Sequence, residues 1–91
     1  LRDEDGIQLL VIASGSGSEA YETRIYMHNG NLMENYERAD AQFAPVGGIQ
    51  IASLNACRFT LDEDGLFTAE IESLDGTVTQ ASFAVAQGGG L

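Results

Sequence analysis

The chain of 91 residues has no lysine and no tryptophan, and only one histidine, one cysteine and one proline. Each shortage removes something. Four cations, Arg2, Arg24, Arg38 and Arg58, are scattered against 14 acids, for a formal charge of −10. Nucleic-acid binding needs clustered Lys and Arg to neutralise phosphates, so no nucleic-acid partner is expected. The same deficit disfavours an anionic membrane surface. Cys57, being alone, forms no intrachain disulfide and leaves the redox compartment open. One His and one Cys fall short of the three or four N or S ligands of a zinc site. The longest apolar run, Leu9 to Ala13, is far below the roughly 20 residues of a spanning helix. No signal peptide is visible either. The chain starts at Leu1 rather than Met, which reads as a processed product or one whose N-terminus has been removed.

Catalytic arrangements are equally scarce. Gly-x-Ser-x-Gly is absent, since Gly15-Ser-Gly17 has the wrong spacing. Ser14-Gly-Ser-Gly-Ser18 lacks the Lys-Ser/Thr ending of a phosphate loop, and reads as a flexible loop. Glu70, Glu72 and Asp75 lie close in sequence, but a chain this small without Trp for sugar stacking is a poor glycosidase. The chain is therefore expected not to be an enzyme and to carry no cofactor.

What is present is β signal. Ile7-Gln-Leu-Leu-Val-Ile-Ala13 reads as a buried strand. Leu1 to Gly6 reads as an acidic lead-in. Ala20 to His28 alternates: Tyr21, Thr23, Ile25 and Met27 point one way; Glu22, Arg24, Tyr26 and His28 point the other. Asn29-Gly30 is a two-residue type I′ turn, and Asn31 to Tyr36 is the returning strand. Glu37 to Gly48 is a connection broken by Pro45 and Gly47-Gly48, with one helical turn expected over 39–43. Ile49 to Leu54 is a strand, Asn55-Ala56 a bulge or tight turn, and Cys57 to Leu61 a strand. Cys57, Phe59 and Leu61 share a face, so the thiol is expected to be structural. Leu66 to Ser73 follows, with Phe67, Ala69 and Ile71 inward. Asp75-Gly76 is expected to be a second turn of the type I′ kind. The last strand runs from Thr77 to Ala86, with Ala81, Phe83 and Val85 on one face, before a frayed glycine tail at 87–91.

These elements predict a mainly β chain, an antiparallel sheet or small β-sandwich built from hairpins, with at most one short helical turn. Ninety-one residues make one domain, spanning 1–91.

Asp-Glu-Asp-Gly occurs twice, at Asp3–Gly6 and Asp62–Gly65. Carboxylates before a glycine suggest Ca²⁺. EF-hand spacing fails in both: with Gly65 sixth, positions one and twelve are Thr60 and Ile71; with Gly6 sixth, they are Leu1 and Ile12. Acidic β-turns are the simpler reading, with Asp62 and Asp64 kept as a weak, irregular Ca²⁺ candidate. On the expected outer face of the first hairpin, Tyr26, Arg24 and His28 are the candidate interaction residues. Tyr26 there is either an exposed contact or a sign that both faces are covered.

One stretch resembles a known group. It runs from Tyr21-Glu-Thr-Arg-Ile-Tyr-Met-His-Asn-Gly-Asn-Leu-Met-Glu34, through Phe43-Ala-Pro-Val-Gly-Gly-Ile49 and Phe59, to Leu74-Asp-Gly-Thr77. It is similar to small uncharacterised β domains of clostridia-type bacteria, associated with type IV pilus or type II secretion components. In minor pilins and pseudopilins a hydrophobic N-terminal helix precedes a β-rich head; no such helix lies in this chain. The resemblance implies a non-enzymatic interaction module, the soluble head of a membrane-anchored, pseudopilin-like protein. It would be extracellular or at the cell surface, with other subunits of a pilus-like assembly as partners. Membrane contact would come only through a segment preceding Leu1. The alternative is a small ligand- or calcium-binding β domain of a secreted protein.

Overall fold

Four hairpin turns set the register, and they are of two kinds. Asp5-Gly6 and Asn29-Gly30 have positive φ at both residues: 53° and 80°, then 52° and 78°. The pairs Glu4 with Ile7 and His28 with Asn31 close them, so both are two-residue type I′ turns. At Asp62–Gly65 and Ser73–Gly76 only the glycine has positive φ, 81° at Gly65 and 88° at Gly76. There the Gly65 N–H donates to the Asp62 carbonyl (3.1 Å), and the Gly76 N–H to that of Ser73 (2.9 Å). These are three-residue loops, a type I turn closed by a glycine bulge. The expectation of a type I′ turn at Asp75-Gly76 is corrected accordingly. Asp75 Oδ1 instead accepts the Thr77 N–H at 2.9 Å.

The computed structural model describes residues 1–84. The strands are β1 (Arg2–Glu4), β2 (Ile7–Ser14), β3 (Tyr21–His28), β4 (Asn31–Arg38), β5 (Ile49–Ser53), β6 (Ala56–Leu61), β7 (Leu66–Glu72) and β8 (Val78–Ala84). They form two antiparallel sheets, β1-β2-β3-β4-β5 and β6-β7-β8. The chain is mainly β, as its hairpins require. Helical structure among the described residues is two 3₁₀ turns, Gly17–Glu19 and Pro45–Gly47. The expected turn over 39–43 therefore falls further on, where Pro45 opens it with a preset φ. The lead-in at 1–6 is in fact β1 and its turn. Val85 and the glycine tail lie outside the described residues.

The chain changes sheet between consecutive residues. Leu54 N–H donates to the Gly30 carbonyl in the first sheet (3.1 Å), and Asn55 N–H to that of Glu72 in the second (2.9 Å). One side chain clips the sheets together elsewhere. Gln8 Nε2 donates to the Phe59 carbonyl (2.7 Å), and its Oε1 accepts the Phe59 N–H (3.0 Å). The amide thus serves β6 as a neighbouring strand would. Phe59 and Phe67 are buried and stacked, centroids 5.8 Å apart.

The main core lies on one face of the first sheet. Leu9, Tyr26, Met33 and Phe43 are buried, with Ile7 and Val11 packed against them. Phe43 comes from the 39–48 connection, which folds over this face. The molecule is thin, 43 × 32 × 20 Å, with a radius of gyration of 14.0 Å; a compact chain of this length would have about 12 Å.

Gln8→Leu keeps the volume but leaves both Phe59 backbone groups unmet. The expected cost is about 1–3 kcal/mol, or a melting point lowered by roughly 5–15 °C. Gln50→Leu, at an exposed β5 position, is the control. A shift at Gln8 no larger than the control would show that the clip does not join the sheets.

Candidate functional site

Alternation along β3 and β4 is as the sequence indicates, but the faces are exchanged. Arg24 is 1% exposed and Tyr26 0%, while His28 is half-buried at the strand end. The outward placement of Tyr26, Arg24 and His28 is thus corrected: this is the covered face. Chemistry explains how a charged face comes to be inside. Arg24 Nε donates to Glu22 Oε1 (3.1 Å), and Nη2 to the carbonyls of Ala41 (2.9 Å) and Arg38 (3.5 Å). Arg2, arriving on β1, pairs with the same Glu22 oxygen. A buried charge is tolerated when it is paired and hydrogen-bonded. Arg24 Nη1 and Asn35 Oδ1, on directly paired residues, are buried without a hydrogen-bond partner among the described residues.

Tyr26 completes the covered face. Its hydroxyl donates to the Pro45 carbonyl at 2.7 Å, and its ring meets Phe43 edge-on at 4.8 Å. Burial pushes the phenol up, against a weaker opposing hydrogen bond from the Gly48 backbone. A Cβ at Gly48 would stand 2.5 Å from that hydroxyl and 3.1 Å from the Glu34 carbonyl, so only glycine lets the connection lie this close.

The other face carries the candidate site. By register, Ile12, Thr23 and Tyr36 form one row across β2, β3 and β4; Leu10, Ile25, Glu34 and Ile49 form the next, reaching β5. Ile12 is 52% exposed, Tyr36 62% and Ile49 73%. Tyr21 stacks on Tyr36, centroids 5.2 Å apart and planes 9° apart. Near Gln8, at the far end of β2, the face meets β6. An antiparallel sheet usually turns a polar face to water; this one turns an apolar row with one carboxylate. Reasoning from alternation alone missed Ile12, Glu34, Tyr36 and Ile49. The signal for it was β2, apolar at consecutive positions 9–13 with only one face covered.

The remaining candidates are dispersed. Asp62 Oδ1 accepts the N–H groups of Asp64 (2.9 Å) and Leu66 (2.8 Å), so that carboxylate holds its own turn. No group of three or more His, Cys, Asp or Glu side chains converges among the described residues. Cys57 is half-buried on β6 opposite Ile71, and burial pushes its thiol up, away from the reactive thiolate. No helix among the described residues is long and apolar enough to cross a membrane.

The model of the family described as "Domain of unknown function (DUF4860)" matches residues 1–73. The chain belongs to that family. The matched stretch takes in the whole first sheet together with β6 and β7, so both faces described above lie within it. No curated protein and no solved structure matches the chain.

Burial pushes the Glu22 carboxyl up, but the hydrogen bonds and charges of Arg2 and Arg24 outweigh it and hold it below the usual carboxylate range. The unfolded chain lacks that support. Glu22 therefore stabilises the fold at neutral pH, and its contribution is lost as pH falls through the folded-state value. Glu22→Gln is expected to lower urea-unfolding free energy at neutral pH by about 1–3 kcal/mol. It should also flatten the fall in stability below about pH 5. The same pH slope in variant and wild type would contradict this.

Proposed function

We propose that the domain is a non-enzymatic interaction module working through the open face of its first sheet. The observation that carries this reading is an asymmetry. One face of the sheet is closed by the chain's own 39–48 segment, while the other leaves Ile12, Tyr36 and Ile49 more than half exposed. Contiguous apolar surface rimmed by polar residues is where soluble proteins meet partners. Aromatic side chains are enriched at such contacts.

The finer reading rests on the sequence resemblance between 21 and 77. It makes this module the soluble head of a membrane-anchored, pseudopilin-like surface or secretion-system protein. Its partners would be other subunits of that assembly, outside the cytoplasm.

Photo-crosslinking in the producing cell tests the interaction reading. A benzophenone side chain at position 12 or 36 is expected to give the same discrete protein adduct. At Glu63, in the β6–β7 turn, it should give none. Equal or absent adducts at all three positions would contradict a partner on this face.

A further inference from the structure

What the open face receives is constrained by charge. The four arginines are all engaged within the chain: Arg2 with Glu4 and Glu22, Arg24 with Glu22, Arg38 with Asp40 at 3.5 Å, and Arg58 with Glu70 at 3.3 Å. A partner therefore meets a strongly acidic protein whose own cations are already paired. A second copy would bring another −10 and be repelled.

The open face itself carries an exposed carboxylate, Glu34, directly between Ile25 and Ile49 in its row. It makes no ion pair and no side-chain hydrogen bond among the described residues, in contrast to Glu22 on the covered face. Tyr36 stands two residues along β4, on the same face, roughly 7 Å away along the strand. Tyr21, directly opposite Arg38, stacks on one face of the Tyr36 ring, which stays 62% exposed. The stack takes one face of the ring, and no second ring lies on Tyr36 among the described residues. An aromatic face beside an unpaired carboxylate is complementary to a planar cation: a guanidinium lies on the ring and gives two parallel N–H bonds to the carboxylate.

Resting on the interaction reading above, we propose that the open face docks a cationic protein partner. An arginine of that partner lies on Tyr36 and pairs with Glu34, and its apolar side chains cover Ile12, Ile25 and Ile49. Lysine is the poorer fit, because it offers a point charge to a site built around a plane. Arg38 is on the same face, two residues from Tyr36 on the side away from Glu34, and its charge is met by Asp40 and the Ser18 carbonyl.

The test is a titration of isotope-labelled domain, followed by amide chemical shifts, with end-blocked hexapeptides alternating Leu with Arg, Lys or Glu. The Leu/Arg peptide is expected to shift amides around Ile12, Ile25, Glu34 and Tyr36. The Leu/Lys peptide should bind more weakly and the Leu/Glu peptide not at all. Glu34→Gln and Tyr36→Ala should each weaken Leu/Arg binding by about threefold to tenfold. Glu37→Gln, an exposed carboxylate on the opposite face of β4, should leave it unchanged. All three variants alter exposed side chains, and unchanged melting points confirm that they fold. Equal losses at Glu34 and Glu37 would reduce binding to bulk charge and overturn the proposal. Shifts elsewhere, no binding, or concentration-dependent self-association through the same face would also overturn it. If adducts still form at positions 12 and 36 in the cell, the face remains an interface and only the arginine reading fails; if they do not, both fall.

Discussion

A guanidinium taken out of water has to be met by acceptors on several sides, and Arg24 is met by three parts of the chain at once. Glu22 comes from its own strand, and the carbonyls of Arg38 and Ala41 from the end of β4 and the connection beyond. Arg2 brings β1 onto the same carboxylate. The bond to Ala41 cannot form unless the 39–48 segment comes down over this face of the sheet. Once it does, Phe43 reaches Tyr26, the Tyr26 hydroxyl reaches Pro45, and Gly48 passes against the ring. Arg24 and the Tyr26–Phe43 core share the covered face, and the segment that closes over them leaves the other face open.

Hairpins and alternation were legible in the sequence because they are local. Asn29-Gly30 between two alternating runs needs no tertiary information to be read as a turn. Which side of the alternation is buried is a different matter, since a period of two says nothing about its sign. Charged residues are ordinarily exposed, so a face bearing Glu22, Arg24 and His28 reads as outer. The partners that reverse this are carbonyls 14 and 17 residues away from Arg24, and a carbonyl has no sequence signature. The turn types show the same limit at smaller scale. Asp5-Gly6 and Asp75-Gly76 share a dipeptide, yet one has two residues at positive φ and the other only its glycine. The ladder bonds on either side decide between them. β1, three residues long and acidic, is too short to announce itself.

The open face was encoded less plainly but not invisibly. A strand that is apolar at five consecutive positions asks to be covered on both sides. The fold covers β2 on one side with the core around Leu9 and leaves Ile12 on the other half in water. The second sheet does not make up the difference. It is joined to the first through the corner at Leu54-Asn55 and the Gln8 amide, and it meets only one end of the face. A thin molecule with a small core has little apolar surface to leave in water without use. Placing it beside Glu34 and a stacked tyrosine pair, on a protein with its arginines already paired, restricts the chemistry of whatever meets it.

The assignment of the two faces can be read from the tyrosines, because Tyr26 lies on the covered face and Tyr21 and Tyr36 on the open one. Nitration with tetranitromethane attacks accessible phenolate, and modified positions are located by mass spectrometry after digestion. Tyr36, 62% exposed, is expected to be nitrated readily in the native protein. Tyr26, fully buried and with its phenol pushed up by that burial, should react only once the chain is unfolded in urea. Native Tyr26 reacting as fast as Tyr36 would mean that the Arg24 face is the open one, and the account of both faces would fail with it.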